Sequence, residues 1–211
     1  MVDFVESKIN QNQHGFVKGK SCLTNLLETM DCVIDLIDEG FPVDILYFDF
    51  KKAFDRVPHN RLILKLKCLG INGKVLDVIN GRTFRVSVEG KFSSLKDVLS
   101  GIPQGSVLGP LLFILFINDL PDCIRSTVKI FADDLKLIAN ISDKSLVDSD
   151  LKCLEDWEKM WLLEFNLDKC KVLHIELNNN QHLDYTLNNC LLKKTVQEKD
   201  RWVFSLLALC F

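Results

Sequence analysis

Apolar residues follow two different periods along the chain, and the period changes where turn-forming residues occur. Helical spacing predicts one helix over about residues 23–37 and another over about residues 58–69, which Gly70 ends. Apolar runs of strand length predict strands at residues 43–50, on both sides of Asp133-Asp134 and at residues 172–177. Helices interleaved with hairpin strands predict an α+β fold, with a mostly antiparallel sheet flanked by helices.

Three further segments complete this pattern. Residues 84–88 alternate between apolar and polar before Glu89-Gly90, which predicts a hairpin. Residues 111–117 are continuously apolar after Gly109-Pro110, which predicts a buried helix, because a bilayer span needs about 20 apolar residues. A long acidic helix is expected after Asp133-Asp134, with these residues facing inward: Leu151, Leu154, Trp157 and Trp161.

Two adjacent acids stand between apolar runs in Phe131-Ala132-Asp133-Asp134. Strands on both sides place these acids at a hairpin tip, where a divalent cation and phosphate could reach them. Asp is also a favoured turn residue, so the pair alone is typical of a solvated turn as well. Asp49 lies near the end of an aromatic strand, where a carboxylate is costly to bury unless it is paired or bound to metal. Asp44, earlier in that strand, is interpreted as an acid of the entry turn.

Five blocks of sequence carry a more specific signal, because they occur in a fixed order. The blocks are Gln13-His14-Gly15-Phe16-Val17-Lys18-Gly19-Lys20-Ser21, Tyr47-Phe48-Asp49-Phe50-Lys51-Lys52-Ala53-Phe54-Asp55, Gly101-Ile102-Pro103-Gln104-Gly105-Ser106, Phe131-Ala132-Asp133-Asp134 and Phe165-Asn166-Leu167-Asp168-Lys169-Cys170-Lys171. Together they resemble the fingers motif and motifs A, B, C and D of reverse transcriptases. Their residues and their order are most similar to those of non-LTR retrotransposons.

The resemblance implies a polymerase palm with partial fingers that performs RNA-directed DNA synthesis. It makes Asp49, Asp133 and Asp134 the catalytic ligands of two Mg²⁺ ions, with Mn²⁺ able to substitute. The backbone carbonyl of Phe50 would be an additional metal ligand. The two ions would activate a primer 3′-hydroxyl and neutralise the leaving pyrophosphate.

Three motif positions imply contacts with the incoming nucleotide. Phe54 matches the aromatic residue on which the sugar rests, and a ring there leaves no room for a 2′-hydroxyl. Gln104 and Gly105 would lie in the loop beneath the nascent base pair. Without the resemblance, core packing for Phe54 and a plain turn for residues 103–105 are the alternatives.

Lysines supply the remaining predicted site residues. Lys169 matches a motif D lysine that would protonate the departing pyrophosphate, and Lys171 is its rival. Lys18 and Lys20 form a short basic loop suited to nucleic-acid phosphate. A solvated strand-entry lysine and a solvated basic turn are the respective alternatives.

The expected partners are an RNA template, a DNA primer and dNTPs, with no protein partner evident. The first residues lack the basic start and apolar run of a signal peptide, and no apolar run is long enough to span a membrane. We therefore expect an intracellular location, cytoplasmic or nuclear, without membrane contact.

Charge is distributed unevenly along a chain whose net charge is −3. Lys and Arg outnumber acids over residues 51–97, and acids outnumber Lys over residues 142–168. We expect the basic block to face template and primer and the acidic block to form a solvated helix. The 8 cysteines include no Cys-x-x-Cys pair, which favours reduced core thiols over a zinc site.

The resemblance divides the chain into four parts. Residues 1–40 are expected to be partial fingers, 41–177 the palm, 178–200 a transition from palm to thumb, and 201–211 an aberrant apolar tail. This division implies a polymerase truncated at both ends. One alternative is a catalytically inactive remnant that binds nucleic acid weakly at most, and another is a two-metal nuclease, which has no use for Phe54 or Gln104.

Overall fold

The computed structural model describes residues 5–103, 105, 108–175, 183–200 and 203–207, and it describes side chains as far as residue 196. Within these ranges the helices are α1 (Cys22–Asp38), α2 (Ala53–Arg56), α3 (His59–Cys68), α4 (Lys74–Asp77), α5 (Leu108–Phe116) and α6 (Lys144–Trp161), with a 3₁₀ turn at Leu120–Cys123. The strands are β1 (Val43–Asp49), β2 (Thr83–Phe84), β3 (Ser87–Val88), β4 (Lys91–Phe92), β5 (Lys96–Asp97), β6 (Thr127–Phe131), β7 (Asp134–Asn140), β8 (Lys171–Ile175), β9 (Thr186–Leu187), β10 (Cys190–Leu191), β11 (Lys193–Thr195), β12 (Gln197–Asp200) and β13 (Val203–Leu207).

A five-stranded sheet in the order β11-β8-β1-β7-β6 forms the centre of the fold. β1 pairs antiparallel with both β7 and β8, β6 pairs antiparallel with β7, and β11 runs parallel to β8. Since three of the four pairings are antiparallel, the predicted sheet type is confirmed. The predicted strand at residues 172–177 is β8, and residues 176–182 lie outside the described ranges.

Each face of the sheet carries its own core, as the alternation of side chains along β1 requires. Leu46 and Phe48 contribute to the larger core, which includes most of the buried residues of α5 and α6 and all of their large apolar ones. Val43 and Ile45 point to the opposite face and pack with Val33 of α1. The predicted α5 and α6 are confirmed, and Leu151, Leu154 and Trp157 are buried as expected.

α1 turns a partly polar side to the sheet. Its N-cap is Ser21, whose hydroxyl accepts from the Thr24 amide in a capping box. Its buried residues are Asn25, Thr29 and Val33, whereas Leu23, Leu27 and Ile34 of the apolar stripe are exposed. The Asn25 side chain accepts from Lys136 Nζ at 3.0 Å and donates to the Ile130 carbonyl at 3.3 Å. Hydrogen bonding to strand residues therefore determines which side of this helix is buried.

Residues 82–99 form an exposed arm of two small hairpins. β2 pairs with β5, and β3 pairs with β4 through a turn in which Glu89 and Gly90 both have positive φ, as primed hairpin turns require. The predicted hairpin is thus confirmed. The apolar side chains of the arm lie outside both cores, and Phe84 and Phe92 are each more than half exposed.

Asp44 is buried within the sheet, so its interpretation as an entry-turn acid is wrong. Its side-chain oxygens lie 2.8 Å from His174 Nδ1 and 2.7 Å from the Tyr185 hydroxyl, which donates to it. A carboxylate can be buried at low cost when its oxygens are hydrogen bonded in this way. Burial is the principal cause that raises the pKa of the Tyr185 hydroxyl, and its hydrogen bond to Asp44 adds to this rise.

The seven described cysteines are free thiols, but most are not core residues. Only Cys170 among them is fully buried, and burial raises the pKa of its thiol to about 11. Cys68 and Cys190 are exposed, which corrects the expectation of core thiols, and Cys210 lies outside the described residues. Among the described helices, none combines the length and the apolar character that crossing a membrane demands.

Candidate active site

Asp49 and Asp134 face each other on neighbouring strands. Both are the strand residues nearest one end of the sheet, and the β1–β7 register pairs them directly. Side chains of directly opposed residues have Cβ atoms about 5 Å apart and lie on the same face. Like charges at such positions repel each other, so the arrangement is unfavourable unless a cation lies between or beside the carboxylates.

Asp133 lies in the tight turn that joins β6 to β7. Phe131 pairs with Asp134, which leaves Ala132 and Asp133 as the two turn residues. Ala132 has φ 55°, the positive value that the first central residue of a two-residue hairpin turn adopts. Asp133 and Asp134 are partly exposed and Ala132 is buried. The predicted hairpin tip is confirmed, and it holds Asp133 next to the opposed pair.

Lys169 supplies a cation at this position. Its Nζ donates to both side-chain oxygens of Asp49, at 3.0 and 3.2 Å. The Lys169 side chain is about half exposed, while that of Asp49 is largely buried. The loop is held there by hydrogen bonds from the Lys169 amide to the Asn166 carbonyl and from the Asn166 amide to the Asp49 carbonyl. Lys171, the rival lysine, lies in β8 and pairs with Tyr47.

The donor chemistry at this end of the sheet suits a hard divalent cation. Carboxylate oxygens are the ligands that Mg²⁺ prefers, and the opposed pair is the arrangement that a cation would relieve. Among the described residues, no three His, Cys, Asp or Glu side chains lie close enough together to hold one ion as they stand. Lys169 contacts Asp49 in this geometry.

Phe50 continues β1 into the site through an isolated bridge to Phe165. The bridge uses the Lys51 amide and the Asp49 carbonyl, so the Phe50 carbonyl takes no part in it. The Phe50 ring is buried and stacks on Phe165 with a centroid distance of 4.6 Å. This stacking fixes the backbone immediately after Asp49.

Phe54 lies on the short helix α2, five residues after Asp49 in sequence. Its ring is partly buried and stacks on Phe113 of α5 at 4.7 Å, so core packing accounts for one of its faces. Its carbonyl accepts from the Ile102 amide at 2.7 Å, which brings Ile102 beside α2. Gly105 is exposed with φ 78°, and Gln104 lies outside the described residues.

The two lysines of the predicted nucleic-acid loop differ in their surroundings. Lys18 is exposed. Lys20 is only partly exposed, and its ammonium donates to the Gln11 carbonyl. Burial lowers the pKa of Lys20, and Lys129 contributes to the same direction, against the opposing effect of Glu28. Lys18 therefore has the more accessible charge of the two.

Gln13 and Gly15 contact the acidic turn directly, and we did not single them out from the sequence. Gln13 pairs with Ile130 in a parallel bridge, and its side-chain oxygen accepts from the Ala132 amide at 2.9 Å. A Cβ atom added to Gly15 would lie 2.3 Å from the Ala132 nitrogen. The available signal was the glycine inside the first of the five blocks, but its contact, Ala132, lies more than 100 positions later.

Comparison with known proteins decides the family. Residues 1–200 match the family described as reverse transcriptase (RNA-dependent DNA polymerase). The chain belongs to the reverse transcriptase family. The resemblance to reverse transcriptases is therefore confirmed, and the non-LTR type that it implied agrees with the relatives that follow.

Two of these relatives come from Drosophila melanogaster transposons. The reverse transcriptase domain is 29% identical over 200 residues to a probable RNA-directed DNA polymerase from transposon BS, covering 88% of this chain and 20% of the relative. It is 33% identical over 176 residues to a probable RNA-directed DNA polymerase from transposon X-element, covering 75% of this chain and 19% of the relative. The chain thus spans about a fifth of the length of these proteins.

A solved structure supports the fold. Telomerase from Candida albicans, solved in complex with a fragment of telomeric RNA, matches with a TM-score of 0.55 and 16% identity. The match covers 81% of this chain and 33% of the telomerase chain. The α+β polymerase palm expected for this reverse transcriptase domain is confirmed by this likeness and by the observed sheet.

Proposed function

We propose that this domain catalyses RNA-directed DNA synthesis, adding deoxynucleotides to a primer 3′-hydroxyl with two Mg²⁺ ions. The opposed pair of Asp49 and Asp134, with Asp133 in the adjoining turn, carries the proposal. Three carboxylates gathered at one end of a sheet match the ligand chemistry of phosphoryl transfer. The ions would supply charge neutralisation at the attacking and leaving oxygens.

The carboxylates would hold the metal ions, and Lys169 acts as a proton donor. Its ammonium lies on Asp49 and is about half exposed, so it can move toward a leaving pyrophosphate when the acid has another cation. A lysine ammonium has a proton to give to a phosphate oxygen. Lys169 is therefore both the cation that balances Asp49 before substrate binds and the acid that completes the reaction.

Phe54 selects the sugar of the incoming nucleotide. Stacking on Phe113 holds one face of its ring, so the ring cannot withdraw to admit a 2′-hydroxyl. Gln104 and Gly105 follow Ile102 in sequence, whose amide donates to the Phe54 carbonyl, and they contact the nascent base pair. The Phe50 carbonyl would be an additional ligand of a bound metal ion.

The partners of the domain are an RNA template, a DNA primer and dNTPs. The exposed arm supports this proposal, because it carries basic side chains together with exposed rings: Arg82, Arg85, Lys91, Lys96, Phe84 and Phe92. Cations bind the phosphate backbone, and exposed rings can stack on bases. The base of the arm is tied to the start of α3, since the His59 amide donates to the Leu99 carbonyl. Lys18 adds an accessible positive charge.

Primer extension tests the proposed activity. The full chain is incubated with an RNA template, a labelled DNA primer, dNTPs and Mg²⁺, and products are resolved by length. Asp133→Asn should reduce the extension rate at least about 100-fold, because the charge stabilisation lost is worth several kcal/mol. Asp31→Asn is the matched control, since it makes the same change at an exposed position of α1.

The length of the products separates the alternatives. Longer products that Asp133→Asn abolishes and Asp31→Asn preserves support the polymerase. Shortened nucleic acid would indicate a two-metal nuclease. A folded chain that neither extends nor cleaves would be an inactive remnant, and the proposal would then be wrong.

A further inference from the structure

We infer that Gln13 is a positioning residue for the acidic turn, fixing Asp133 and Asp134 for metal binding. This inference rests on the proposed function and deepens it. Gln13 lies about 120 positions before the turn in sequence, yet only 3% of its surface is exposed and its side chain contacts the backbone of Ala132. Within the described part of the chain, the Gln13 side chain forms hydrogen bonds with Ala132 and Gly15 and none with the carboxylates, so its effect on them must pass through Ala132.

The turn itself creates the need for such a residue. In a two-residue hairpin turn, the flanking residues Phe131 and Asp134 pair with each other, and the first central residue has no partner in the ladder. Ala132 is buried, so an amide and a carbonyl left without hydrogen bonds there would each be destabilising. Both groups must find partners outside the hairpin.

The carboxamide of Gln13 satisfies both groups. Its Oε1 accepts from the Ala132 amide at 2.9 Å, and its Nε2 lies 3.4 Å from the Ala132 carbonyl, to which it donates. The same Oε1 also accepts from the Gly15 amide at 2.7 Å. A carboxamide has the donor and acceptor of a peptide group, so Gln13 extends the pairing of its own segment with β6 by one further unit.

The segment that carries Gln13 is itself fixed to β6. The Ile130 amide donates to the Asn12 carbonyl at 2.9 Å, and the His14 amide donates to the Ile130 carbonyl at 2.8 Å. His14 is fully buried, and its ring contacts Thr24 and Glu28 of α1. The backbone that carries Gln13 is therefore held in place on both sides, which a positioning role requires.

Metal affinity and backbone protection test the inference together. Gln13→Met keeps the length of the side chain and removes its hydrogen bonds, whereas Gln13→Glu keeps an acceptor for the two amides. Electron paramagnetic resonance measures free Mn²⁺ as each full-length protein is titrated, and NMR measures hydrogen exchange at the Ala132 amide. Gln13→Met should weaken Mn²⁺ binding about tenfold or more, as losses of supporting hydrogen bonds do. Gln13→Glu keeps the acceptor but loses the donor to the Ala132 carbonyl, so it should keep the Ala132 amide protected and weaken Mn²⁺ binding less than Gln13→Met does.

Two controls separate positioning from loss of stability. Gln11→Met makes the same change at an exposed position two residues earlier. Tyr185→Phe removes the buried hydrogen bond that the Tyr185 hydroxyl donates to Asp44, on the face of the sheet opposite to Asp49. Both should bind Mn²⁺ like the unaltered chain. Where the chain extends primers, Gln13→Met should lower kcat with little change in KM for dNTP.

The outcomes distinguish this inference from the proposed function. If the unaltered chain binds no Mn²⁺, the proposed function is wrong and Gln13 has no site to position. If the unaltered chain binds Mn²⁺ and Gln13→Met binds it equally well, the inference is overturned and the proposed function stands. Equal weakening in Gln13→Met and Tyr185→Phe would likewise overturn the inference, since it would reflect stability alone.

Discussion

Replacing Gly15 with Ala should displace the acidic turn. The added Cβ would lie 2.3 Å from the nitrogen, 2.8 Å from the Cα and 2.9 Å from the Cβ of Ala132. Two of these three atoms are backbone, so no flexible side chain can move aside. Gly15 itself has no positive φ, which means that the cost is one of contact and not of backbone conformation.

The size of the effect follows from the distance. Ordinary van der Waals contact begins near 3.4 Å, so the turn must move by roughly 1 Å or the Gln13–Gly15 segment must separate from it. Overpacking of this kind costs about 1–3 kcal/mol, which lowers the Tm of a domain of this size by about 2–10 °C. A 1 Å displacement of catalytic groups can cost about 100-fold in rate.

Thermal unfolding and primer extension should be measured on the same preparations. Gly40→Ala is the matched control, because Gly40 has φ 83° with nothing within 4 Å of an added Cβ. Its cost of about 1–2 kcal/mol is conformational and remote from the turn, so primer extension should persist. The reasoning is refuted if Gly15→Ala loses no more activity than Gly40→Ala at a similar loss of Tm.

Three further predictions concern stability and substrate choice. Burial lowers the pKa of Lys65 to about 8, although the hydrogen bond that Lys65 donates to Asp119 opposes this shift. The unfolded chain therefore binds more protons than the folded chain between pH 8 and 10.5, so the unfolding free energy should rise over this range by roughly 3 kcal/mol relative to that of Lys65→Met. Urea unfolding at pH 8 and 10 that changes equally in the two proteins would contradict this. Tyr185→Phe should lower the unfolding free energy by about 1–3 kcal/mol in urea, because an Asp44 oxygen loses its buried partner, and a change below about 0.5 kcal/mol would count against that bond. Phe54→Ala should raise the incorporation of ribonucleotides relative to deoxynucleotides at least about tenfold in primer extension, and an unchanged ratio would remove Phe54 from sugar selection.

The acids at the site were predictable because each stood out locally. Asp49 ends an aromatic strand, and Asp133-Asp134 interrupts two apolar runs, so the pattern indicated both the strands and the exceptional residues. Their pairing across the sheet was not predictable from either segment alone. It came from the resemblance, and the β1–β7 register then gave it a geometry.

Other features depend on partners that are distant in sequence. Helical spacing located α1 but suggested an apolar inner side, whereas the hydrogen bonds that Asn25 donates to Ile130 and accepts from Lys136 decide which side is buried. Likewise, Asp44 looked like a turn acid because its partners, His174 and Tyr185, lie at least 130 positions later. Periodicity within a segment carries no information about such contacts.

The pairing of β1 with β7 links correct folding to correct chemistry. Leu46 opposes Leu137, and Phe48 opposes Leu135, on the face that packs in the larger core. A slip of one residue would turn every side chain of β7 to the other face, so Lys136 would enter that core and Asp134 would leave its place opposite Asp49. The apolar residues of β1 and β7 therefore couple folding to assembly of the site. A chain that misaligns its carboxylates also fails to bury its core, so only chains with aligned carboxylates reach the stable fold.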